Sequence, residues 1–292
     1  MPLITIFTPA YNRAHTIERT YQSLRSQKSK DFIWLIVDDG STDNTKALVD
    51  EWKSIDNGFE IRYIYKENGG MHTAHNVAYE NIDTELNLCI DSDDMLADNA
   101  IEIITKHWDS LKNHEYAGII GLDADFDGNI IGDDLSCLSE TTLSDYYALG
   151  KSGDKKLVYR TEVVNAYPPY PIFEGEKYVA LAYKYKLIDQ DYKLSVLNDI
   201  LCNVEYQQDG STNTMWRQYY KNPKGFAFWR SVCIKYPTSK KRLFVDCVHY
   251  ISSCILAKIP IFNEDIHHKA LLVLASPLGL ALATYIKYKN KD

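Results

Sequence analysis

Leu86-Asn87-Leu88-Cys89-Ile90-Asp91-Ser92-Asp93-Asp94 decides how this chain of 292 residues reads. A short apolar run with polar flanks predicts a buried strand at Leu86–Ile90. Carboxylates clustered at the end of such a strand are costly unless a cation or a polar ligand uses them. In an open α/β sheet the carboxyl ends of the strands are where ligands bind, so a metal and nucleotide site is expected here. Taken alone, the four polar residues also fit an acidic turn, with Asp94 or Asp98 capping a helix that starts near Ala100. The neighbouring segments choose between these readings.

Three further apolar runs end in polar loops. Leu3–Phe7 leads into Thr8-Pro9-Ala10-Tyr11-Asn12-Arg13, Phe32–Val37 into Asp38-Asp39-Gly40-Ser41-Thr42-Asp43, and Ile61–Tyr65 into Lys66-Glu67-Asn68-Gly69-Gly70. Helix-like stretches lie between them at Thr16–Leu24, at Asn44–Trp52 with Asp43 as N-cap, and at His72–Tyr79. Alternation of strand and helix predicts an α/β fold with a mostly parallel sheet flanked by helices, whose strands all end on one edge. Four loops then converge on one cleft.

With these motifs in this order, the chain resembles the family 2 inverting glycosyltransferases of the GT-A fold. The resemblance rests on Thr8-Pro9-Ala10-Tyr11-Asn12, Asp38-Asp39-Gly40-Ser41-Thr42-Asp43, Asn68-Gly69-Gly70 with Ala74-His75-Asn76, and Asp91-Ser92-Asp93-Asp94. It covers roughly the first third of the chain; each motif is weak singly and the ordered set is strong. It implies a nucleotide-sugar donor, usually uridine-based, and Mn2+ or Mg2+ held by the Asp-x-Asp element. A departing diphosphate needs its growing charge neutralised, and carboxylates are the hard oxygen ligands that such ions prefer.

The expected donor contacts are Thr8, Pro9, Tyr11, Asp39, Asn68, Gly69, His75, Asp91, Ser92 and Asp93. Asp93 is the first choice for direct metal ligation, and Asp91 serves the ribose or a metal-bound water. Asp39 accepts from a uracil imide N–H, Tyr11 stacks on the base and Pro9 stiffens its loop. Asn68 reads a base edge, while Gly69 and Gly70 let the backbone approach closely. His75 stands where many relatives carry Arg. Inversion needs a base for the acceptor hydroxyl. By position, Glu176 in Phe173-Glu174-Gly175-Glu176-Lys177 takes that role at the start of a helix over Tyr178–Leu187, with Glu174 as the alternative; the family's Glu-Asp pair is absent. Tyr206 to Thr212 loosely matches a loop near the diphosphate, with Asp209 and Ser211 as candidates.

Asp123-Ala124-Asp125-Phe126-Asp127-Gly128 imitates an EF-hand loop, but its flanks are strand-like and no Glu stands at the last ligand position, which predicts a β-hairpin. Six cysteines lack metal-ligand spacing and suit reduced packing residues. With 45% apolar residues the chain can bury a full core. The expected division is 1–120 as the nucleotide-sugar half, 121–212 as the acceptor half, and 213–292 as a helical region.

Charge is lopsided. After Gly210 stand 13 Lys and Arg against 4 Asp and Glu, +9, whereas the rest holds 19 against 36, −17. Ala270–Ile286 carries no formal charge, is interrupted by Pro277 and Gly279, and is followed by Lys287, Lys289 and Lys291. Such a run suits interfacial or shallow membrane contact better than a span. No signal peptide is evident at the amino terminus, so the expectation is a cytoplasmic protein at the cytoplasmic membrane face. Its acceptor is then a glycan or lipid-linked oligosaccharide for surface polysaccharide. The basic residues match no nucleic-acid recognition module. A sugar nucleotidyltransferase or a non-catalytic donor-binding protein are the other readings; the former wants a Gly-rich first loop, which is missing.

Overall fold

The computed structural model describes residues 2–111, 115–205 and 214–290. The Asp209 and Ser211 candidates lie outside the described residues. Contacts divide the chain into two compact units, one of Met1–Pro169 with Leu187–Glu205, the other of Tyr170–Lys186 with the described part of 206–292. The segment expected to form one acceptor half therefore gives Tyr170–Lys186 to the second unit.

The first unit begins with β1 (Ile4–Ala10), α1 (Ile17–Arg25), β2 (Phe32–Asp38), α2 (Thr45–Lys53), β3 (Glu60–Tyr65), α3 (Met71–Asn81) and β4 (Leu86–Cys89). All seven residues of β1 and of β2 are buried, as expected of strands covered on both faces. The helices bury single stripes; in α1, Ile17, Thr20, Tyr21 and Leu24 recur at the helical period. Tyr21 and Trp52 stack 4.3 Å apart and both stack on Trp34, which fastens α1 and α2 to the sheet. Such pairs add roughly 0.5–1.5 kcal/mol each beyond simple burial.

Then follow β5 (Met95–Leu96), α4 (Ala100–Ser110), β6 (Gly118–Ala124), β7 (Glu140–Thr141), α5 (Leu143–Ala148), β8 (Lys155–Arg160), α6 (Thr161–Ala166) and, after α7 (Ala182–Ile188), most of which belongs to the second unit, β9 (Leu194–Asn203). The sheet order is β3-β2-β1-β4-β8-β6-β9-β5, with β7 on β9. β3, β2, β1 and β4 are mutually parallel, so their carboxyl ends share one edge. β8 is antiparallel to both neighbours, with Leu88 opposite Val158 on one side and Gly121 opposite Lys156 on the other. The architecture is thus a mixed, mostly parallel sheet flanked by helices with a helical carboxyl-terminal region, consistent with the GT-A fold.

The EF-hand imitation is a turn. Asp125 accepts from the backbone N–H groups of Asp127 and Asn129 and from the Asn129 side chain, and a single bridge joins Ala124 to Ile130. The hairpin expected here is only one bridge long, because its carboxylate closes the turn on itself.

The second unit holds α8 (Met215–Lys221), α9 (Pro223–Lys235), α10 (Lys240–Ala257) and α11 (Lys269–Lys289). α11 is continuous through Pro277, which corrects the expectation of a run broken at its middle. The proline removes one backbone donor, but close packing on α10 holds the helix: a Cβ on Gly279 would fall 2.5 Å from Ile251 Cγ2. Leu272, Ala275, Gly279, Ala283 and Ile286 form the buried stripe, whereas Val273, Leu274, Leu278 and Leu280 face outward. Among the described residues, α11 alone is long and apolar enough to cross a membrane by length and composition.

Candidate donor site

The loops after β1, β2 and β3 are stitched together by side chains bonded to backbone. Asn12, held at positive φ, donates its N–H to Ser41 Oγ (2.8 Å), while its Oδ1 accepts from the N–H of Thr42 (2.8 Å). Asp43 accepts from Ala14 N–H (2.9 Å) and from the N–H of Thr45 (3.0 Å), but the N-cap of α2 is Asn44, one residue after the Asp43 expected in that place. Asp38 accepts from Ser41 N–H and from the Tyr63 hydroxyl, fixing the end of β2 against β3.

Asp39 is the hub. It is 4% exposed, and four donors meet its carboxylate: Lys66 Nζ (2.5 Å) and Gly69 N–H (2.9 Å) at Oδ1, Gly70 N–H (2.8 Å) and Asn68 Nδ2 (3.3 Å) at Oδ2. Asn68 Nδ2 also donates to the Asp39 carbonyl (2.7 Å). Gly40 has φ +85°, and a Cβ there would lie 2.8 Å from Asn68 N, so the turn needs glycine. The carboxylate expected to read a base thus holds the loop 66–70 in shape. Tyr11, 49% exposed, stands at the rim with an open ring.

Three expected donor contacts are placed inside the fold. β1 runs on to Ala10, so Thr8 and Pro9 are strand residues, and the Thr8 hydroxyl accepts from the Trp34 indole N–H (3.0 Å). His75 is buried, edge-on to Phe7 at 5.0 Å, with its ring nitrogens against the Tyr79 hydroxyl and the Cys89 thiol. Its ring is spent on packing.

After β4 the chain turns through Asp94 N–H to Asp91 C=O (3.0 Å), and Thr20 Oγ1 donates to the Asp94 carbonyl (2.7 Å). Ser92 is buried; Asp91 and Asp93 are half-buried. Two residues that sequence reasoning missed join them. Lys156, from β8, reaches Asp123 at 3.8 Å, and Asp123 Oδ1 has no hydrogen-bond partner among the described residues. Burial pushes the carboxyls of Asp91, Asp94 and Asp123 up, that of Asp94 to about 8, with Lys156 opposing in each case. Burial disfavours the Lys156 ammonium, but Asp123, Cys202, Asp94 and Asp91 outweigh it and hold the lysine charged. No sequence signal marked this pair, since Lys155-Lys156 reads as a solvated strand end.

Among the described residues, no three His, Cys, Asp or Glu side chains form a cage for an ion. The donor set fits an ion bound through one or two carboxylates and completed by phosphate oxygens, the usual arrangement for Mg2+.

Another missed residue is His72, at the start of α3. It is 2% exposed, neither ring nitrogen has a hydrogen-bond partner among the described residues, and burial lowers its pKa to about 4.

In the second unit, Glu176 does not open the helix expected over Tyr178–Leu187, which is confined to α7. Instead its two oxygens accept from Lys224 N–H (2.9 Å) and Gly225 N–H (2.8 Å), capping α9 from 48 residues away. The free amides of a helix start attract a carboxylate more strongly than the local turn does. Gly225 allows the approach, since a Cβ there would meet the Tyr178 carbonyl at 2.0 Å. Glu174 is exposed and makes no hydrogen bond or ion pair among the described residues.

Residues 5–131 match the model of glycosyl transferase family 2. The teichoic acid poly(glycerol phosphate) polymerase of Staphylococcus epidermidis is 40% identical over 103 residues, which make up 35% of this chain and 14% of that protein. The chondroitin synthase of Pasteurella multocida is 36% identical over 108 residues, 37% of this chain and 11% of that protein. The putative teichuronic acid biosynthesis glycosyltransferase TuaG of Bacillus subtilis is 34% identical over 101 residues, 35% of this chain and 40% of that protein. The chain therefore spans well under two thirds of these relatives. Among solved structures, residues 1–349 of S. aureus TarS in complex with UDP-GlcNAc superpose with a TM-score of 0.63 at 16% identity, covering 100% of this chain and 93% of that one. The mannosyltransferase PcManGT of Pyrobaculum calidifontis, in complex with GDP-Man and Mn2+, gives 0.58 at 16% identity, covering 98% and 83%.

Proposed function

We propose that this chain, which carries a family 2 match over residues 5–131, is an inverting glycosyltransferase. It moves one sugar from a nucleotide donor, a uridine diphosphate sugar, to a glycan in surface polysaccharide synthesis. The observation that carries the reading is the shared edge of β3, β2, β1 and β4, from which Asn68, Asp39, Tyr11 and the Asp91–Asp93 carboxylates all issue. Ligands bind at such an edge.

In this reading Tyr11 stacks on the base, and Asn68 with the backbone of Gly69 and Gly70 lines its edge. Asp39 acts mainly by keeping that loop in place. Asp93 and Asp91 would hold Mn2+ or Mg2+, which supplies charge neutralisation at the leaving diphosphate. The proton of the acceptor hydroxyl goes to a carboxylate of the Glu174–Glu176 pair. Glu174 suits this better, because Glu176 would first have to give up a bond to the α9 start. For the acceptor, a lipid-linked glycan at the cytoplasmic membrane face is supported by the outward apolar side of α11 and by Lys287 and Lys289 at its end.

Calorimetric titration of uridine diphosphate, with and without Mn2+, tests the reading. Metal-dependent affinity that disappears in Asp91→Ala and Asp93→Ala is expected; absence of any such affinity in the wild type refutes it.

A further inference from the structure

Lys156 acts on the carboxylates of Asp91, Asp94 and Asp123 more strongly than Arg13 or Lys155 does, and its place in the sheet explains why. β8 enters between β4 and β6, and extension of the Leu88–Val158 pairing sets Lys156 beside the end of β4, where Asp91 begins. On its other side Lys156 lies opposite Gly121, and Asp123 is the diagonal neighbour on that face. The Lys156–Asp123 separation of 3.8 Å exceeds the roughly 2.7–2.9 Å of a committed charge-assisted hydrogen bond. Asp123 Oδ1 remains without a hydrogen-bond donor among the described residues although it is buried. The ammonium is not committed to Asp123 alone: it also bonds the Cys202 thiol and acts through space on Asp94 and Asp91. A purely structural ion pair would close to contact, because desolvation of both partners is recovered only by good geometry.

An arriving divalent ion meets a site already partly neutralised. We propose that Lys156 is the standing counter-cation of the Asp91 cluster, so that a divalent ion enters appreciably only when a nucleoside diphosphate brings additional negative charge. Metal and donor then bind with strong positive coupling, and the coupling is reciprocal. This rests on the donor-site reading above and assigns to Lys156 a role in setting the order of binding.

The test measures Mn2+ affinity from the free-ion electron paramagnetic resonance signal, without nucleotide and at saturating uridine diphosphate. Wild type, Lys156→Met and Lys156→Arg are compared, with a thermal melt to verify folding. In the wild type, uridine diphosphate should tighten Mn2+ binding at least a hundredfold. Lys156→Met, which keeps the side-chain volume and removes the charge, should bind Mn2+ at least tenfold tighter than wild type in the absence of nucleotide, with the coupling reduced by the same factor. Lys156→Arg should keep the wild-type coupling. A folded Lys156→Met with unchanged nucleotide-free affinity overturns the proposal while leaving the donor site intact. So does a wild type that binds Mn2+ equally well with and without nucleotide, a result that needs no variant to fold. A wild type with no Mn2+-dependent uridine diphosphate affinity instead sinks the donor-site reading itself.

Discussion

Asp39→Asn separates two roles for one carboxylate. In the structure each oxygen faces donors only: Lys66 Nζ and Gly69 N–H on one, Gly70 N–H and Asn68 Nδ2 on the other. An amide must turn its NH2 toward one of these pairs, so either flip sets donor against donor and leaves a buried backbone N–H unsatisfied. The substitution also strips Lys66 of its ion-pair partner. Breaking a buried pair from one side costs roughly 3–5 kcal/mol. The Lys66 side chain is 18% exposed, so solvent recovers part of this and about 3 kcal/mol is expected. For a chain of 292 residues that corresponds to a melting point lower by about 5 °C. Differential scanning calorimetry and urea unfolding measure it, alongside nucleotide titration. A variant that melts within about 2 °C of wild type yet loses nucleotide affinity would show that the carboxylate serves the ligand and that the loop does not depend on it.

The two glutamates should divide differently. Glu176→Gln is expected to lower stability by roughly 1–2 kcal/mol by weakening the cap on α9, whereas Glu174→Gln should leave the melting point alone and slow sugar transfer by roughly 10²–10⁴; the reverse pattern returns the base role to Glu176. His72 predicts acid sensitivity. Burial holds its pKa near 4 against an ordinary 6.5, so its contribution is complete above pH 6.5 and is lost as pH falls toward 4. The loss reaches roughly 3 kcal/mol, and urea midpoints at pH 7.5 and 4.5 should converge in His72→Asn; an equal acid loss in that variant assigns it to other groups. Deletion of the residues after Lys269 should move the protein from membrane to soluble fractions, and an unchanged distribution removes α11 from the membrane. Because the truncation also uncovers Cys247, Tyr250 and Ile251 on α10, aggregation must be excluded by gel filtration.

The parallel edge of the sheet was legible because its inner strands, β1 and β2, are covered on both faces and so spell continuous apolar runs that end abruptly in polar loops. Strand ends were not. Thr8 and Pro9 read as loop, but the Thr8 hydroxyl finds the Trp34 indole, and Pro9 falls where β1 has outrun its pairing with β4, which stops at Phe7. β8 and β9 carry mixed sequences, and β8 brings Lys156 into a buried site that only the tertiary arrangement creates. Glu176 was found as a residue and misread as a local element, since its partners are backbone amides 48 and 49 residues further along. His75 matched a motif position, yet Phe7, Tyr79 and Cys89 enclose its ring, a packing that no local pattern announces.

Cross-stitching of the first loops constrains where this chain can be lengthened. Asn12, Ala14, Ser41 and Asp43 bond each other across about thirty positions in fixed pairs, so one extra residue between Tyr11 and Ala14 would break contacts in both loops at once. The turn at Asp125–Asn129 satisfies its own polar groups and can take an inserted tag or reporter without disturbing the rest. A scan of insertions along the first unit should therefore show intolerance as a property of a loop's partners and not of its distance from the core.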